Sequence, residues 1–312
     1  MFKENFTQIR LSSDDNLQLK IKKSLNTDLK DFKKGSVLIF SPHPDDAEIC
    51  LGAFIFYLIS IGVDVHVAII TSGVNAVRVR DVQILKRFWF YYGNPDVSGI
   101  VKDKELMAFL RECEVINGLG CLGVSSINVH FLHLTFYNNL KPDKEADLVK
   151  INKLIERINP YAIFAAGDFQ DPHGTHEKCF DLVWQAVQNI YTTPRFFVYK
   201  GSWDEFREDE ISLAFPYDQS TADLKREAIC CHHSQRDPLY PGNDERPFYQ
   251  RAFDRGRAYA QKYNTELGAN YFAIEAFKEL VDWKKPRKNA RKDFEPIYNN
   301  AKSKMNVVKV RK

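Results

Sequence analysis

No run of roughly eighteen apolar residues occurs in the chain, so no transmembrane helix is expected. The amino terminus, Met1-Phe2-Lys3-Glu4-Asn5, lacks the apolar core of a secretory signal. Cysteine is sparse, six in 312 residues, and no Cys-x-x-Cys spacing is present, which removes the common zinc-ribbon and dithiol redox motifs. The six cysteines fall in apolar segments or helical patterns, where buried, reduced thiols are the default. A cytoplasmic protein without disulfides is therefore expected. The first strand-to-helix turn has no Gly-x-Gly-x-x-Gly, which argues against a dinucleotide cofactor. Internal repeats and low-complexity segments are also missing.

What is there is an ordinary globular composition, 44% hydrophobic and 27% charged. The net charge of +3 is unevenly spread. Lys284 to Lys312 holds eleven basic and two acidic residues, a tail of +9, which leaves −6 for residues 1–283. A mildly acidic body is not built for phosphate backbones, so no nucleic-acid partner is expected for it. The tail reads as a disordered, solubilising extension, with contact to RNA or an acidic partner as the alternative. Residues 1–35 are polar and lysine-rich, with a short helix expected at Asp28–Lys34. The division is thus 1–35 as an extension, 36–283 as the folded domain and 284–312 as the tail.

From Ser36 onward, apolar runs alternate with helical patterns. Strands are expected at Val37–Ser41, Val65–Thr71, Val129–Leu134, Ala162–Ala166 and Arg195–Tyr199, with Ile211–Phe215 as an added edge. Helices are expected at Glu48–Ile61, Lys104–Leu119, Lys144–Ile158, Lys178–Ile190, Thr221–His233 and Pro247–Thr265. Such alternation implies an α/β fold, a Rossmann-like three-layer sandwich around a mostly parallel sheet.

Two turns carry the chemistry. Ser41-Pro42-His43-Pro44-Asp45-Asp46 leaves the first strand and enters a helix, at the carboxyl end where open sheets bind ligands. One imidazole and one carboxylate make half of a zinc site, and the second carboxylate is left to move protons. Capping by Asp is the plainer reading, but it explains neither His43 nor the flanking prolines. The second turn, Asp168-Phe169-Gln170-Asp171-Pro172-His173-Gly174-Thr175-His176, again follows a strand-like run. His176 would complete a His/Asp/His set with an open fourth position, and His173, three residues earlier, is expected to share its helix face beside that position. Four consecutive residues on one helix cannot converge on an ion, so Cys230-Cys231-His232-His233 is not a second metal site. In the loop after the second strand, Arg78, Arg80, Lys86 and Arg87 would suit an anionic substrate, although a solvated basic loop is the simpler account.

The pair of turns resembles the LmbE/PIG-L family of zinc-dependent N-acetylglucosaminyl deacetylases, whose pattern is His-Pro-Asp-Asp with a later His-x-x-His. Arg111-x-x-Glu114 with Leu122-Gly123-Val124, His232-His233-Ser234-Gln235 and Glu275-Ala276-Phe277 resemble further segments of that family. Asp171–His176 and Leu134-Thr135-Phe136-Tyr137 are similar to a subgroup fused to a glucosamine-6-phosphate deaminase-like half. Residues 1–35 are too few for such a half, so the deacetylase-like unit alone is expected.

The resemblance implies zinc, with Fe²⁺ or another divalent metal as alternatives, held by His43, Asp46 and His176. Asp45 would act as general base and His173 would stabilise the oxyanion. Arg111 would contact substrate, and His232 would support the site from behind. Thr175 replaces a carboxylate found in relatives, so Asp168 or Asp171 is expected to partner His173. The implied substrate is a small N-acetylated amino sugar. Another small amide, or a non-catalytic sugar-binding role, is the alternative, and a homo-oligomer stays open.

Overall fold

The computed structural model describes residues 13–25, 28–77, 103–138, 142–201, 204–235, 248–281 and 283–284. Arg78, the rest of the basic loop to Arg87, and the tail beyond Lys284 lie outside the described residues.

Seven strands form one sheet: β1 (Val37–Ser41), β2 (Val65–Ile69), β3 (Val129–Phe131), β4 (Ala162–Ala166), β5 (Arg195–Tyr199), β6 (Leu213–Tyr217) and β7 (Ala273–Glu279). Their order is β3-β2-β1-β4-β5-β7-β6. The first five are parallel, and β7 runs antiparallel to both β5 and β6. The central strands are apolar on both faces because helices cover both. Val37, Ile39 and Phe164 point into one layer, whereas Leu38, Phe40 and Ile163 point into the other.

The first layer holds α2 (Asp46–Ser60), which packs against α7 (Gln219–Cys230); α7 in turn meets α3 (Asp103–Cys121). The opposite layer holds α5 (Lys144–Ile158) and α6 (Thr175–Asn189), while α8 (Phe248–Leu267) lies along β7. Residues 46–55 of α2 are buried without exception, as an almost wholly apolar helix must be. Direction along the sheet reverses between β1 and β4, which are neighbours at its centre. Their carboxyl ends open the crevice in which doubly wound sheets take their ligands.

Two expectations need correction. Residues 1–35 are not merely an extension. Helix α1 (Ser13–Leu25) sets Ile21, fully buried, against the α8 layer, and Ser24 Oγ lies 3.0 Å from Tyr263 Oη. The 3₁₀ turn Leu29–Lys34 drives Phe32 into the core beside Phe54 and Phe197. Second, the thiols are not uniformly buried. Cys50 and Cys179 are, but Cys121 is exposed, with its Sγ 3.7 Å from that of Cys231. The segment around Glu275 forms strand β7 and carries a charge into the core.

That charge is neutralised internally. The Glu275 carboxylate accepts from Lys225 Nζ at 2.6 Å and from the Ala53 and Phe54 backbone N–H groups at 3.0 and 2.8 Å. Gly52 makes the approach feasible, since a β-carbon there would lie 2.9 Å from the Lys225 side chain. Removing one partner of a buried pair strands the other charge. Glu275→Ala is expected to destabilise the fold by about 3–5 kcal/mol, read from urea unfolding.

Candidate metal centre

The turn after β1 is organised by its own side chains. Ser41 Oγ donates to the His43 carbonyl at 2.7 Å and accepts from Ala47 N–H at 3.2 Å, so serine, not aspartate, caps the start of α2. Asp45 makes no capping bond. Asp46 Oδ2 accepts from the His43 backbone N–H at 2.8 Å, which folds the turn back on itself. The same oxygen lies 3.3 Å from His43 Nδ1 and 3.4 Å from His176 Nε2. The two imidazole nitrogens are 3.1 Å apart.

These three atoms form a nearly equilateral triangle. A tetrahedral ion with bonds of about 2.0–2.1 Å has ligand–ligand edges of about 3.3–3.4 Å, so the donor set fits one face of a zinc site. Among the described residues, this is the one group of three or more ionisable side chains that converges in this way.

Elements on both sides of the switch point hold the triangle. His176 stands in the first turn of α6, and its Nδ1 is hydrogen-bonded to Asp168 at the end of β4. That bond turns Nε2 toward the triangle and raises the basicity of the ring. Burial opposes a charge on His176, but Asp168 and Asp46 outweigh it and carry its pKa up to about 10. Asp46 is likewise held at about 2, its burial overcome by His176 and His43. The metal-free pair is thus a carboxylate facing an imidazolium. Zinc needs the imidazole lone pair, so loading at pH 7.5 is expected to release about one proton per chain. Calorimetry in buffers of different ionisation enthalpy reads that number, and His176→Ala should abolish it.

The Asp171 carboxylate holds the backbone around His173, not its imidazole. Its Oδ1 accepts from the His173 backbone N–H at 3.0 Å, and Oδ2 accepts from Thr175 N–H and His176 N–H at 2.7 and 3.2 Å. It therefore caps α6. Gly174, at φ 65°, ends the turn, and the helix begins only at Thr175. His173 lies before the helix and is exposed, so it does not share a helix face with His176, and the i, i+3 argument fails.

Arg111 also departs from expectation. It is 1% exposed, and its guanidinium lies behind Asp45 instead of lining an open surface. Nη2 donates to Asp45 Oδ2 at 3.0 Å and to the Pro44 carbonyl; Nη1 donates to Glu114 Oε2 at 2.9 Å. Glu114 is fixed in turn by Ser234, whose N–H and Oγ donate at 2.7 and 2.8 Å. Gly73 closes over this group in a left-handed conformation, φ 63°. A β-carbon there would approach Pro44 to 2.8 Å and Arg111 Nε to 3.2 Å. Burial raises the pKa of Asp45, and Arg111 partly offsets that effect. His232, fully buried, bonds Glu48 in the first turn of α2 at 3.0 Å. It braces that helix through Glu48 and makes no bond to a metal-facing side chain.

Residues 38–187 match the profile of the GlcNAc-PI de-N-acetylase family, PIG-L. A protein of Bacteroides thetaiotaomicron named as a putative glucosamine-6-phosphate deaminase-like protein is 36% identical over 285 residues, covering 78% of this chain. This chain spans 42% of that relative's length. Among solved structures, N,N'-diacetylchitobiose deacetylase from Pyrococcus horikoshii superposes with a TM-score of 0.55 at 20% identity, over 86% of this chain and 93% of that one. GalB, a 4-carboxy-2-hydroxymuconate hydratase from Pseudomonas putida KT2440, gives 0.54 at 17%, over 79% and 96%. At such identities the likeness establishes the α/β fold.

Proposed function

We propose that this chain, whose residues 38–187 match the PIG-L family profile, is a zinc-dependent hydrolase that removes acetyl from the amide of an N-acetylglucosamine-type substrate. The observation that carries this reading is the triangle of His43 Nδ1, Asp46 Oδ2 and His176 Nε2, with Asp45 beside it. When bound, the ion supplies Lewis acidity, polarising a carbonyl and bringing the pKa of water toward ~7.

The chain's own groups do the rest. Asp45 takes a proton from the attacking water and hands it to the leaving amine. Arg111 fixes the Asp45 rotamer through Oδ2, so that Oδ1 is left to exchange the proton. A carboxyl pushed upward by burial is a better base at neutral pH than an exposed one. His173, on the exposed turn, donates to the oxygen on which negative charge develops. Asp168 and Asp171 work one layer back, orienting His176 and capping its helix. No described helix is long and apolar enough to cross a membrane.

The experiment is amine release from a panel of N-acetylated hexosamines, with and without a 6-phosphate, beside acylated amines that are not sugars. The reading expects acetate from at least one acetylated hexosamine. Hydrolysis confined to the non-sugar amides would move the substrate class, and no hydrolysis of any amide would contradict the activity itself.

A further inference from the structure

The triangle is open on one side. The His176 and Asp46 side chains are 2% and 5% exposed, whereas His43 is 21% exposed, so a ligand reaches the centre past His43. The residue that flanks that opening is Tyr137. Its ring stands edge-on to the His43 ring, with centroids 6.3 Å apart and planes inclined at 70°.

Tyr137 is placed there by a built support. It lies on the one-turn helix α4 (Thr135–Asn138), directly after β3. An isolated turn of that length has no stability of its own. Asp147 of α5, fully buried, supplies it: its carboxylate accepts from the Thr135 and Phe136 backbone N–H groups at 2.6 and 3.2 Å and from Thr135 Oγ1 at 3.1 Å. Lys150 Nζ secures the bend before it, donating to the Leu132 and His133 carbonyls at 3.0 and 3.2 Å. On the other side, the Tyr137 hydroxyl meets the backbone and side chain of Asn75, in the loop after β2. A surface tyrosine of no consequence would not need a buried carboxylate committed to its turn.

We propose that Tyr137 is a substrate-contacting residue, its ring forming the wall against which a pyranose face packs and its hydroxyl bonding a ring substituent. The inference rests on the amino-sugar reading above and deepens it. Aromatic rings suit this place because a sugar ring offers a C–H face to pack on and hydroxyls at its rim, and an aromatic with a polar tip satisfies both. Burial raises the Tyr137 pKa above the ordinary value, so the group is a neutral donor at physiological pH.

The test titrates N-acetylglucosamine into the zinc-loaded Asp45→Asn protein, whose turnover is slowed by about 10²–10⁴-fold, and into the same protein carrying Tyr137→Phe or Tyr137→Ala. Loss of the ring is expected to weaken Kd by about tenfold, the equivalent of ~1.4 kcal/mol. Loss of the hydroxyl alone should weaken it by about threefold. With Asp45 intact, KM should rise in parallel while kcat stays within about threefold, and zinc content should remain one per chain. A Kd and KM unchanged in both variants overturn the inference, as does a fall in kcat alone. Tyr137→Phe keeps the packing, so the hydroxyl is tested even if the alanine variant does not fold. If the parent neither binds nor hydrolyses N-acetylglucosamine, the amino-sugar reading fails and this inference falls with it. A parent that does both while the Tyr137 variants match it overturns this inference alone.

Discussion

His176→Ala is expected to empty the metal centre and to abolish amide hydrolysis together. The substitution removes one corner of a triangle whose edges are 3.1, 3.3 and 3.4 Å, leaving two ligands. It also takes from Asp168, buried at 1% exposure, the imidazole it grips. Outer-sphere partners of metal ligands typically change affinity by about 10–100-fold, so losing a ligand itself should cost more than about 100-fold in zinc affinity. Competition with a chromophoric chelator measures that change, and acetate release on the same samples should fall to background. Asp168→Asn supplies the graded comparison, since it keeps all three ligands and disturbs only the tautomer and basicity of His176. It should fall in the 10–100-fold range.

The second large effect separates binding from proton transfer. Asp45→Asn should retain one zinc per chain, because no Asp45 oxygen belongs to the converging set. The amide oxygen still accepts from Arg111, and Glu114 still balances the guanidinium, so the fold should hold. What is lost is the base, and general acid–base groups contribute about 10²–10⁴ in rate. The expected outcome is a kcat lower by about that factor at nearly unchanged KM, measured under saturating zinc. An Asp45→Asn protein that hydrolyses as fast as the wild type would show that another group moves the proton. The two variants together distinguish a residue that holds the ion from one that works beside it.

The parallel core was legible because its strands are mostly short apolar runs and helical periods follow β1, β3 and β4, a local signal. The two acid/His turns were legible for the same reason. They sit at the ends of β1 and β4, and the sheet order then brings them together at the switch point. What was not legible depends on partners far away in the chain. Helix α1 shows only Leu17, Ile21 and Leu25 as an apolar stripe among polar neighbours, and its contact with Tyr263 spans 239 residues. Strand β7 hides behind Glu275, whose charge is acceptable only because Lys225, 50 residues away, and the backbone of α2 meet it.

The site shows the same division. Arg111 and Glu114 were readable as an i, i+3 pair, and they do bond at 2.9 Å. The pattern says nothing of Asp45, 66 residues away, or Ser234, 123 residues away, which turn that pair inward and bury it. Two histidines three apart suggested one helix face, and a left-handed Gly174 between them places the first outside the helix. Tyr137 sits in a short motif noticed for its resemblance. Its role depends on Asp147, ten residues later, and on the exposed flank of His43, and no periodicity reveals either.

The central claim is that three side chains from two distant turns hold one ion on which amide hydrolysis depends. Stripping the full chain of metal and adding zinc back while following acetate release tests it most directly. Activity should rise from background in proportion to zinc and level off at one equivalent per chain, with His176→Ala flat throughout. Acetate release that survives complete removal of metal, or that His176→Ala shares with the wild type, would contradict it.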